Sequence, residues 1–137
     1  MIFQKPLFKE VFLTLILVAI LHKIALVLFL YWTVDWFDIL MHGLGGLSLG
    51  FLFLFIFYTS GFSNLDQSHF FYVFFITIGS VLIVGLIWEL WEVFVGLTDV
   101  LKDQLDTISD IVMDMVGATL SFLYFKLKIL KSNNNVE

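Results

Sequence analysis

The fold class the sequence predicts is an all-α, polytopic four-helix transmembrane bundle, and three observations predict it. Of 137 residues, 61% are hydrophobic and 14% are charged, whereas a soluble domain is nearer half and a quarter. The apolar residues fall in four stretches, each close to the ~20 residues that a bilayer-spanning helix needs. Within each stretch the apolar residues run on rather than alternate, which argues against membrane strands. A mean hydropathy of +1.02 agrees with lipid as the solvent. One integral membrane domain over residues 1–137 is therefore expected, surrounded by a lipid bilayer.

The expected spans are 11–31, 39–58, 70–95 and 108–130. Lys5 and Lys9 precede the first, and its apolar run from Val11 to Leu21 has the length of a signal sequence. No small-x-small cleavage site follows before Tyr31, so this segment reads as a retained helix. His22 and Lys23 interrupt it, with no role fixed by sequence. Gly61, Ser63 and Asn64 mark the connector before the third span, and Asp99 to Asp106 the connector before the fourth. The tail from Ser132 to Glu137 is polar.

Lysine placement gives an orientation. Lys5 and Lys9 flank the start of the first span, and Lys126, Lys128 and Lys131 the end of the fourth. The positive-inside rule puts both termini in the cytoplasm of an inner-membrane protein. Trp32, Trp36, Trp88 and Trp91 then fall at the outer rim, and Tyr58, Tyr72 and Tyr124 at the inner rim, as an aromatic belt requires.

Nine of the twelve acids gather at the outer end: Asp35, Asp38, Glu89, Glu92, Asp99, Asp103, Asp106, Asp110 and Asp114. Residues three and four apart share a helix face. The second span thus aligns Asp38, His42, Gly46 and Gly50, and the third Gly85, Glu89, Glu92 and Gly96. The fourth aligns Asp106, Asp110, Asp114, Gly117 and Ser121. Each stripe is ionisable above and small below, so the three helices can approach closely and bring their acids to one pocket. Ionisable residues inside a membrane point to function by default. Glu89, Glu92, Asp114 and His42 are the catalytic candidates, and with Asp110 they form the metal-ligand candidates. Asp38 and Asp106 begin helices and read as caps, Asp38 also orienting His42. Lys23 is a possible partner for Asp114.

An oxygen-rich set favours Mg²⁺, Mn²⁺ or Ca²⁺ over Zn²⁺. Without a metal, crowded carboxylates share protons and suit acid–base chemistry. The chain has no cysteine and no arginine, and its formal net charge is −5. That excludes thiolate and iron–sulfur sites, and it argues against nucleic acid as a partner. Asp106, Asp110 and Asp114 have the spacing of CDP-alcohol phosphotransferases, but the rest of that motif is missing.

Asp38-x-x-x-His42, the segment Trp88-Glu89-Leu90-Trp91-Glu92 and the run from Asp106 to Ala118 together resemble the YjdF-like (DUF2238) inner-membrane proteins, a family of unknown function. A looser likeness is to VanZ-like proteins, in which an Asn stands where this chain has Asp114. The first resemblance implies a small multi-pass bacterial membrane protein. The second, through glycopeptide resistance, implies work at the cell envelope. The expected function is a divalent-cation or acid–base site in envelope or lipid-related chemistry, acting on a lipid or envelope substrate. A cation or proton carrier and a non-catalytic scaffold are the alternatives. GxxxG spacing at Gly46 and Gly50 leaves a homo-oligomer open.

Overall fold

The computed structural model describes residues 7–60, 69–97 and 104–134. Lys5, the connector residues Gly61, Ser63 and Asn64, and the loop residues Asp99, Lys102 and Asp103 lie outside the described residues, as do the side chains of Asp35 and Lys131. Four helices are long and apolar enough to cross a bilayer, and no strand occurs among the described residues.

Helix α1 spans Phe8–Leu28 and ends three residues earlier than the expected span. Phe29 stops it by entering the left-handed region at φ 56°, its N–H bonding back to Ala25. One further turn, α2 (Leu30–Thr33), and an extended Val34 complete the reversal. This tight connection starts α3 at Asp35, four residues before the expected 39. Asp38 is therefore already inside the helix and caps nothing, because Val34 holds the cap position. Helix α3 (Asp35–Leu54) runs on into a wider π-turn at Phe55–Thr59, where the Ser60 N–H reaches the Phe55 carbonyl at 2.8 Å.

Helix α4 spans Phe70–Val95, as expected. Its end is set by Gly96, whose φ of 77° is one that a glycine adopts without steric penalty. There the Gly96 and Leu97 N–H groups turn back to the Val93 and Glu92 carbonyls. Helix α5 (Gln104–Asn134) begins four residues before the expected 108, so Asp106 lies in its first turn. An acid there still favours the helix dipole, but the helix already begins at Gln104 and the cap assignment for Asp106 is corrected accordingly.

The contact pattern fixes directions. Phe74 meets Phe122 at a centroid distance of 5.1 Å while Gly85 meets Asp114, so α4 and α5 are antiparallel. Gly43, Gly46 and Gly50 meet Met113, Asp114 and Ser121 in ascending order, so α3 and α5 are parallel. That pair forms the largest helix interface. Helix α1 leans on α3 and buries only Val11 and Ala25 along its length.

The lysine-bearing end holds the main apolar core, built from Leu7, Val11, Phe51, Leu54, Phe55, Val73, Phe122 and Phe125. Tyr58, at the end of its span, is buried in that core, whereas Tyr72 and Tyr124 are exposed. Glu10 joins this end together by accepting hydrogen bonds from Tyr124 Oη and Lys128 Nζ, both at 2.7 Å. The four tryptophans are exposed and lie toward the opposite, acidic end.

Candidate functional site

The site exists because α3 and α5 touch backbone to backbone. A methyl group on Gly46 would collide with the Asp114 main chain, its Cα only 2.6 Å away, and one on Gly117 would collide with Gly43 and Leu47. Small residues at these positions remove the side-chain layer that normally separates helices. The ionisable residues one turn above this crossing are then forced together.

His42 is the hub. Its Nδ1 lies 3.5 Å from Asp114 Oδ1. Its Nε2 lies 4.0 Å from Asp110 Oδ2 and 4.0 Å from Asp38 Oδ1. One imidazole thus faces three carboxylates, one from its own helix and two from α5. Ligating atoms of Asp38, His42 and Asp110 fall within 4.8 Å of one another. His42, Asp110 and Asp114 are all buried. The i, i+4 spacing on each helix places these groups on one face. His42 is about 10 Å along α3 from its first residue at helical rise.

Asp114 points two ways. Oδ1 addresses His42, while Oδ2 fills the notch left by Gly85 on α4, where a Cβ would stand 2.7 Å away. One turn above Gly85, α4 carries Glu89, which is 6% exposed, with neither oxygen hydrogen-bonded. Thr107 of α5 comes near without completing a hydrogen bond. Glu89 is close enough to His42 and Asp114 to feel their charges. Asp110, 2% exposed, also leaves Oδ1 without a partner.

Of the residues singled out by sequence, Asp110 and Asp114 both face His42, and Glu89 is close enough to His42 and Asp114 to feel their charges. Asp38 joins them directly. Glu92 does not: its Oε1 accepts the Trp88 indole N–H at 2.9 Å. Asp106 is exposed at the start of α5. Lys23 is exposed on α1, as is His22, whose Nδ1 is 2.8 Å from Tyr31 Oη. Burial, with the charges of Asp38 and Glu92 behind it, pushes the Tyr31 phenol above its ordinary value, so it remains a neutral hydroxyl at the edge of the acidic group. Sequence reasoning passed over Tyr31 and Gly43. Gly43 had a signal in the Gly-Leu-Gly-Gly run from 43 to 46, and Tyr31 had none.

Among the described residues, His42 is the group of potential positive charge within 4.0 Å of Asp38, Asp110 and Asp114. Buried charges without partners are costly, and lining carboxylates with an imidazole can be relieved by a cation or by shared protons. Deeper in the bundle three buried hydroxyls are already committed to their own helices: Ser48 to the Leu44 carbonyl, Thr77 to Val73 and Ser121 to Ala118.

A family model described as a predicted membrane protein (DUF2238) matches residues 2–129. No curated protein and no solved structure matches the chain.

Proposed function

The chain belongs to the DUF2238 family of predicted membrane proteins, and on that premise we propose that its carboxylate–imidazole cluster holds a divalent cation for chemistry at the cell envelope. The observation that carries this reading is His42 set among Asp38, Asp110 and Asp114, with oxygens of Asp110 and Glu89 buried and unpartnered beside it. With all four acids ionised, a protonated His42 would leave the group three charges short of neutral. Such an excess in an apolar span costs several kcal/mol by order of magnitude unless a counter-charge is present. A dication supplies two of those charges at once and gives the unpartnered oxygens an acceptor for their lone pairs.

The orientation of the site follows the lysines. Lys9, Lys126 and Lys128 share the end opposite the acids, so the positive-inside rule turns the cluster outward and puts both termini in the cytoplasm. A carrier role has less support. The half of the bundle below the cluster is filled by Leu54, Val73, Phe122 and Phe125, and the hydroxyls of Ser48, Thr77 and Ser121 are spent on helix carbonyls.

Thermal unfolding of the full chain in lipid nanodiscs tests the proposal. A ligand that binds only the folded state at a hundred times its Kd adds about 2.7 kcal/mol. Chelator-treated protein should gain stability of this order on adding Mn²⁺, and Asp110→Asn should gain none. Equal responses of the two proteins, or no response from either, would remove the proposal.

A further inference from the structure

We infer that the ion is a first-row transition-metal dication of the Mn²⁺, Fe²⁺ or Zn²⁺ kind, bound by His42 Nε2, Asp38 and Asp110, with Asp114 as a positioning residue behind His42. This rests on the cation reading above and narrows it, since an oxygen-only site would select Mg²⁺ or Ca²⁺ instead.

Three observations support the assignment. The first is the division of labour between the two ring nitrogens. Nε2 faces Asp38 Oδ1 and Asp110 Oδ2, each at 4.0 Å, whereas Nδ1 faces Asp114 Oδ1 alone at 3.5 Å. A metal-bound histidine commonly gives its second N–H to a carboxylate, which fixes the tautomer and the ring plane. Asp114 is held for that task, because its other oxygen is wedged at Gly85.

The second observation is charge. With His42 neutral, a dication is offset by the two carboxylates of its own ligand set, Asp38 and Asp110, and removes their charge from the group that Asp114 and Glu89 share with them. The third is the set of spare oxygens. Asp110 Oδ1 is unpartnered in a residue that is 98% buried, so this carboxylate has capacity that no protein group uses. Imidazole is a good ligand for Zn²⁺, Fe²⁺ and their neighbours, whereas Mg²⁺ and Ca²⁺ prefer oxygen throughout. The sequence expectation already counts His42 among the ligands; the structure turns Glu92 toward Trp88 and sets Asp38 beside Nε2 instead.

Pulsed electron paramagnetic resonance on the full chain in nanodiscs, loaded with Mn²⁺ alone after chelator treatment, reads the ligand set directly. The expected spectrum shows nitrogen coupling from a bound imidazole. Asp114→Asn should keep that coupling while Mn²⁺ affinity falls about 10–100-fold, the usual cost of losing such a second partner. A bound Mn²⁺ without nitrogen coupling, or one displaced by equimolar Mg²⁺, overturns this inference and leaves the cation reading standing. Failure to bind Mn²⁺, Zn²⁺, Mg²⁺ or Ca²⁺ overturns both.

Discussion

A buried polar group left without a hydrogen bond costs about 1–3 kcal/mol, more when charged, and Glu89 carries two such oxygens inside α4. Natural sequences keep such residues where function needs them and stability does not. Replacing Glu89 with methionine should therefore stabilise the metal-free protein by about 1–3 kcal/mol, read as a higher Tm in detergent. A lower Tm would reveal a structural role instead. His42, Asp110, Asp114 and Glu89 were legible from sequence because ionisable residues stand out in apolar runs and repeat at helical spacing. Asp38 looks like a cap in the sequence because nothing there announces that a phenylalanine, Phe29, takes the left-handed conformation that ends α1. Glu92 shares the sequence stripe, but Trp88 lies four residues before it and captures its carboxylate with an indole N–H.

The crossing of α3 and α5 is what turns separate stripes into a site. Gly46→Ala would drive a methyl into the Asp114 backbone, which cannot rotate away as a side chain can. The expected loss is at or above the upper end of the ~1–3 kcal/mol typical of overpacking, with the cluster pulled apart. Gly79→Ala is the matched control, since nothing lies within 4 Å of the added carbon. Thermal denaturation of both variants checks this, and equal stabilities would mean that the helices are not in backbone contact. The small-residue pattern disclosed that such a crossing was possible. It did not disclose which pair of helices would use it, because α4 also carries glycines at Gly79 and Gly85. That choice depends on side chains across the interface, and a single sequence does not display them together.

For the whole molecule, four apolar helices and the gathering of lysines at one end were readable from the order of residues, because lipid imposes length and charge rules on every span. The peripheral place of α1 was not, since its apolar surface is nearly uniform and gives no face a preference. The chain has no cysteine, so single-cysteine variants report topology cleanly. Leu97→Cys, beyond the end of α4, should react with a membrane-impermeant maleimide in intact cells, and Lys128→Cys should react only after lysis. The reverse pattern would invert the molecule and face the cluster inward. Whether the cluster holds an ion is decided by the metal content of the purified full chain beside Asp110→Asn. The expected result is close to one transition-metal ion per wild-type chain and nearly none in a folded variant. Wild-type protein free of metal after growth in metal-replete medium, or an equal content in both proteins, would contradict it.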